Sequence, residues 1–174
     1  MAILEEQVFK KYRGKSVLLD SNLLLVLVSG QMGQRVFQSF KRVQDYTIAD
    51  HQLLVRFLST FKSLITTPHI LTEVSNLANS LPQNYKPEWY KNFAFLIASQ
   101  EKNASTFEKW IPAAELIQGP EFIAFGITDA ALSRLAAEAL IVTEDFRLAG
   151  FLQSQGMDVL NFHHLRKLAA ANSR

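Results

Sequence analysis

Four acidic residues stand in related places along a chain of 174 residues: Asp20, Glu73, Asp129 and Asp145. Asp20 closes the apolar run Val17-Leu18-Leu19, and Asp145 follows the run Ile141-Val142-Thr143 by two positions. Glu73 falls in the first turn or two of a helix opened by Pro68, and Asp129 starts the helix that precedes the second of those runs. Carboxylates that converge repel one another strongly unless a cation sits between them. Hard oxygen donors of this kind suit Mg²⁺ or Mn²⁺. Each acid also has a plainer reading. Asp20 and Asp129 suit helix caps or turns, Asp145 suits the positive end of a helix dipole, and Glu73 suits a solvated helix surface. It is their joint placement that points to a site.

The elements that must position them follow from periodicity. Residues 1–12 read as a helix with Ile3, Leu4, Val8 and Tyr12 near one face, stopped by Gly14. The run ending at Asp20 suits a strand buried on both faces, as in a parallel sheet. Ser21-Asn22 is turn chemistry, and residues 23–28 begin a helix. Residues 31–45 carry Val36, Phe37, Phe40 and Val43 at helical spacing. Asp50 reads as the N-cap of a further helix with Leu53, Leu54, Phe57, Leu58 and Phe61 on one face. A second strand over residues 64–67 leads to the helix opened by Pro68. Another helix from Glu88 aligns Trp89, Phe93, Leu96 and Ile97. Thr128-Asp129 caps a helix through Ala137; a strand over 139–143, a helix over 146–155 and a last strand over 157–160 follow. Alternation at this spacing predicts an α/β fold with a parallel sheet. Its strands would end on one edge, where ligands bind.

Composition narrows the rest. A hydrophobic fraction of 48% against 20% charged residues is the balance of one globular domain, not of a disordered chain. The absence of cysteine excludes disulfides, zinc knuckles and thiol nucleophiles. Lys10, Lys11, Arg13 and Lys15 imitate the start of a signal peptide. Glu5, Glu6 and Asp20 argue against one, and no apolar run has the roughly 20 residues of a membrane span. A cytoplasmic protein is expected. The formal net charge is +2, from 18 Lys and Arg against 16 Asp and Glu. Setting aside the four acids leaves 12 against 18, a net +6, enough to attract a phosphate backbone.

Four segments in order resemble the PIN-domain ribonucleases. They are Val17-Leu18-Leu19-Asp20-Ser21-Asn22, Thr67-Pro68-His69-Ile70-Leu71-Thr72-Glu73, Gly126-Ile127-Thr128-Asp129-Ala130-Ala131-Leu132 and Ile141-Val142-Thr143-Glu144-Asp145-Phe146-Arg147-Leu148. With the closing Gly156-Met157-Asp158-Val159-Leu160-Asn161, the resemblance covers residues 16 to 161. It implies a three-layer α/β/α sandwich around a central parallel sheet, spanning residues 1–174 as one domain. It also implies a site of Asp20, Glu73, Asp129 and Asp145 that holds Mg²⁺ or Mn²⁺ and cuts RNA. Asn22 and Thr143 match polar positions that support the acids by hydrogen bonds. Many members of the family are toxins of toxin–antitoxin pairs, so an antitoxin or other inhibitory partner is implied too. The chain departs from the pattern in an extra helical segment at about residues 31–62. The interval between Asp129 and Asp145 is also short, which leaves Glu144 as an alternative to Asp145.

The chemistry expected is in-line attack of a metal-bound hydroxide on a phosphodiester. No histidine is well placed to help, though His69 shares a helix face with Glu73. Arg35, Lys41, Arg42, Lys86, Lys91 and Arg147 are candidate contacts to substrate, and Trp89, Tyr90 and Phe93 are candidate stacking surfaces. The aromatic and aliphatic faces over residues 53–61 and 89–97 favour a homodimer or a protein partner. Two rivals stand beside this reading. A haloacid-dehalogenase-type phosphatase would need a second Asp where Asn22 stands. An inactive interaction module would have no need of all four acids.

Overall fold

The computed structural model describes residues 2–98 and 106–172. The first half runs α1 (Ala2–Tyr12), β1 (Ser16–Leu19), α2 (Ser21–Ser29), α3 (Gln34–Ser39), α4 (Ile48–Leu58), β2 (Ser63–Thr66), α5 (Pro68–Ala78) and α6 (Lys86–Ala98). The second runs β3 (Thr106–Glu108), α7 (Ala113–Leu116), α8 (Pro120–Phe125), α9 (Ile127–Leu135), β4 (Leu140–Thr143), α10 (Phe146–Ser154), β5 (Val159–Asn161) and α11 (Phe162–Asn172).

All five strands are parallel, in the order β3-β2-β1-β4-β5, and helices flank the sheet in a three-layer α/β/α arrangement. Every residue of β2, β4 and β5 is buried, as are Val17, Leu18 and Leu19 of β1, which is why these segments read as continuous apolar runs. Pairing aligns Leu18 with Ile65 on one side and with Ile141 on the other. The chain winds outward from β1 through β2 to β3, then returns to the other side of β1 for β4 and β5. The strand order therefore reverses between β1 and β4. In open parallel sheets, the crevice at such a reversal is where ligands bind.

α2 is enclosed on nearly every side: Asn22 alone of its nine residues escapes burial. Trp89 is fully buried against it and donates its indole N–H to Ser29 Oγ at 2.9 Å. A Cβ at Gly30 would lie 2.2 Å from ring carbons of His51, so glycine at this position is what lets α4 approach α2 so closely.

Several boundaries differ from expectation. Residues 31–45 do not form one long helix. Gly33, at φ 87°, separates a 3-10 turn (Gly30–Met32) from the short α3, and Phe40 is already extended. Val36, Phe37, Phe40 and Val43 are nonetheless all buried. Thr47, not Asp50, caps α4; Asp50 supplies the reciprocal bond of a capping box. Gly126, at φ 90°, precedes α9, which leaves Thr128 and Asp129 inside its first turn instead of at its cap. β3, α7, α8 and α11 lie where the sequence pattern predicts no element. Ile3 and Leu4, expected on the inner face of α1, have side chains outside those described. Leu54, Phe57, Trp89 and Phe93 are buried within the chain itself, so the two faces favoured for self-association are largely core. Among the described residues, no helix is long and apolar enough to cross a membrane.

Arg166 of α11 fastens the extra segment to the sheet. Its Nε and Nη2 donate to the two oxygens of Asp50 at 2.8 and 3.1 Å, and Nη2 also donates to the Asp45 carbonyl at 2.9 Å. Its Nη1 donates to Glu144 at 3.1 Å, and its guanidinium lies 4.9 Å from the Tyr46 ring centre. Burial pulls against charge here, but the bonds to Arg166 and Thr47 outweigh it and hold Asp50 below its ordinary pKa. Thr47→Ala is expected to lower stability by about 1 kcal/mol through loss of the cap. Asp50→Ala is expected to lower it by roughly 1.5–3 kcal/mol more, because it also removes the two bonds from Arg166, which keeps Glu144 and the Asp45 carbonyl. Urea unfolding of the two variants measures the difference, and equal losses would mean that the Arg166 pair contributes nothing.

Candidate functional site

Asp20 sits where the strand order reverses. Its backbone N–H donates to the Val142 carbonyl at 3.1 Å, extending the pairing of β1 with β4 by one residue. Its side chain caps α2, with Oδ1 accepting from the Leu23 N–H at 2.7 Å. Oδ2 accepts from Thr143 Oγ1 at 2.5 Å and from the Glu144 N–H at 3.2 Å. Burial pushes the Asp20 carboxyl up to about 6, against the pull of those three donors, with the Glu144 charge adding to the rise.

Thr143 links two of the acids. Its hydroxyl serves Asp20 and accepts the Asp145 N–H at 2.9 Å. Asp145 caps α10, its Oδ1 accepting from the backbone N–H groups of Arg147 and Leu148 at 2.7 and 3.1 Å. Glu144 turns the other way and accepts from Tyr46 Oη at 2.5 Å and from Arg166. The side chain directed to the acidic edge is therefore that of Asp145, while Glu144 contributes a backbone N–H. Burial and this bond to Glu144 hold the Tyr46 proton in place.

Glu73, in the second turn of α5, accepts from Ser21 Oγ at 2.8 Å. Ser21 therefore fills the supporting position assigned to Asn22. Asn22 is exposed, makes no hydrogen bond to the acids among the described residues, and lines a groove with Lys41, Arg42, Gln44 and Ser80. One step along a helix turns a side chain by about 100°, and the sequence alone does not say which of two adjacent polar residues faces inward.

Asp129 completes the set from the first turn of α9. Its carboxyl accepts no hydrogen bond and pairs with no cation among the described residues. Burial pushes it up to about 7, and the charges of Asp20, Glu73 and Asp145 push in the same direction. Asp129 thus lies within electrostatic reach of each of the other three acids. Among the described residues, no three His, Asp or Glu side chains are already drawn into a metal-ligating cluster. The donor set still suits a hard cation: four carboxylates, two of them fixed by helix caps, and none in an ion pair among the described residues.

The basic candidates lie in different surroundings. Lys41 and Arg42 wall the groove beside Asn22, Arg35 is exposed on α3, and Arg147 packs its guanidinium 5.6 Å from the Phe125 ring centre. Trp89 and Phe93 are buried, and Tyr90 donates its hydroxyl to the Ser75 carbonyl at 3.2 Å, so none of the three is open to stack a base. A second groove, of about 460 Å³, is lined by His69, Thr72, Glu73, Asn76, Trp110 and Thr128. A larger cavity, of about 600 Å³, lies beside Lys11, Tyr12 and Asp158, at the opposite ends of the strands, and touches none of the four acids.

In comparisons with family models, curated proteins and solved structures, the chain matches none.

An acid whose pKa is raised on folding favours the protonated folded state. The stability it lends is complete below its unfolded value of 3.8 and is lost as pH rises through the folded values of about 6 for Asp20 and about 7 for Asp129. Asp129→Asn removes one such group with almost no change of shape. In chelator the variant is expected to melt close to the wild type near pH ~4 and above it at pH ~8. Relief of about 1–3 kcal/mol corresponds to several degrees, at about 2–4 °C per kcal/mol. Thermal melts across that range test this, and a gap that stays flat with pH would show that Asp129 carries no such strain.

Proposed function

We propose that this protein is a divalent-metal-dependent ribonuclease of the PIN type, cutting phosphodiester bonds at the edge between β1 and β4. The observation that carries the reading is Asp129, a part-buried carboxyl that accepts no hydrogen bond among the described residues and is pushed to about 7 by its burial and three neighbouring acids. Such a group is stable as an anion only when positive charge joins it. The resemblance of the surrounding segments to PIN-domain ribonucleases supports the same reading.

Asp20, Glu73, Asp129 and Asp145 would hold Mg²⁺ or Mn²⁺. When bound, the ion would lower the pKa of a water and balance charge developing on the phosphate. The chain's own residues prepare that chemistry. Thr143 and the Leu23 and Glu144 N–H groups fix both oxygens of Asp20 before substrate arrives. Ser21 orients Glu73, and the first turn of α10 orients Asp145. Asp129, the least restrained carboxylate, has no donor among the described residues to hold it away from an ion. Lys41, Arg42 and Arg147 would receive the RNA backbone on either side. This role fits a cytoplasmic RNA-processing enzyme or a toxin restrained by an antitoxin.

Labelled RNA incubated with Mn²⁺ is expected to be cut, and chelator to stop the cutting. Asp129→Asn is expected to lower the rate on the order of 100-fold or more while the fold persists, and Asp20→Asn, which loses an acceptor for backbone N–H, to lower rate and stability together. Undiminished cleavage by either variant would reject the assignment.

A further inference from the structure

The groove beside Glu73 contains an aromatic residue that the fold does not use. Trp110 is 74% exposed, although tryptophan is normally highly buried. Its position is held on both sides. The preceding Lys109 N–H donates to the Thr66 carbonyl at 2.8 Å, continuing the register of β3 with β2, and the following Ile111 is buried. A chain fixed this way presents the intervening side chain outward. The wall that Trp110 forms faces a groove whose other residues include Glu73 of the acidic edge, His69 one turn before it on α5, and Thr128, the neighbour of Asp129. His69 Nδ1 is buried with no hydrogen-bond partner among the described residues. An open indole face, the His69 side chain, Glu73 of the acidic edge and Thr128 beside Asp129 thus share one concavity.

We infer that this groove is a nucleobase subsite, in which Trp110 stacks an unpaired base of the nucleotide next to the scissile phosphate, so that the substrate is single-stranded. The inference rests on reading the acidic edge as the phosphodiester site. Stacking demands a splayed-out base with a free face, which an A-form duplex does not offer. It is also tolerant of sequence, because every base has such a face. The subsite would therefore select strandedness and not a particular base. Glu73 in the wall of the groove, with Asp129 next in sequence to its Thr128, argues for this occupant over an apolar peptide, because a nucleotide brings its phosphate to the place where a cation is wanted.

The two tryptophans separate the outcomes, since Trp89 is fully buried and Trp110 is exposed. Fluorescence is followed while wild-type protein is titrated with a single-stranded RNA octamer, and then with the same octamer annealed to its complement. Millimolar Ca²⁺ is present to neutralise the carboxylates with an ion of looser geometry than Mg²⁺. The expected result is quenching by the single strand, little by the duplex, and none in Trp110→Phe, whose remaining tryptophan is out of reach. Trp110→Ala is expected to weaken binding on the order of ten-fold or more. Trp110→Phe, which keeps a stacking face, should lose less. In the Mn²⁺ cleavage assay the alanine variant should raise KM and leave kcat nearly unchanged. Metal-dependent cleavage with an unchanged KM in Trp110→Ala, or equal quenching by duplex and single strand, would overturn the subsite and leave the ribonuclease reading standing. Quenching without any metal-dependent cleavage would sustain the subsite and remove the nuclease. Absence of quenching, with self-association in sedimentation that Trp110→Ala abolishes, would assign the residue to a protein contact and overturn the proposal.

Discussion

The site depends on one buried carboxylate. Asp20 is held at the point where the sheet's winding reverses, and each of its oxygens is used by a different part of the chain. Oδ1 starts α2, the most enclosed helix of the fold, and Oδ2 binds the end of β4 through Thr143 and the Glu144 N–H. A buried charge is tolerable only when bonded in this way. The same three bonds fix the spacing of β1, α2 and β4 at the edge. Burial still raises the Asp20 carboxyl to about 6, so the donors offset only part of its desolvation.

The other acids are arranged around this fixed point with decreasing restraint. Asp145 has two backbone N–H donors of its own helix, Glu73 has one hydroxyl donor from Ser21, and Asp129 has no donor among the described residues. The unrelieved charge at Asp129 costs stability above its raised pKa of about 7. The polar cluster of Asp50, Arg166, Glu144 and Tyr46 lies just outside the edge. It ties α4 and α11 to the residue after β4, so the extra segment is fastened to the same place that positions Asp20.

Much of this was legible in the sequence because burial on both faces leaves a plain signal. Val17 to Leu19 and Leu140 to Val142 are continuous apolar runs, and the acids or turn residues that end them mark the sheet's edge. The parallel α/β class followed from that, and so did the places of Asp20 and Asp145 just beyond the ends of β1 and β4. Features with no local signal did not. β3 has three residues and leaves Phe107 41% exposed, so its pattern is too short to separate from a loop. Arg166 meets Asp50 across 116 positions of sequence. Ser21 and Asn22 are equally polar, and only the rotation of α2 selects Ser21. Thr47 and Gly126, not the nearby acids, begin their helices, because the backbone conformation before each helix decides the start.

Crystals of the protein grown with Mn²⁺ offer the most direct measurement, because anomalous scattering locates that ion without reference to activity. The expected result is a peak bounded by the carboxylates of Asp20, Glu73, Asp129 and Asp145, lost in Asp129→Asn. A fully ordered edge with no peak there, in protein that still cleaves RNA, would contradict the convergence of these four acids on a metal.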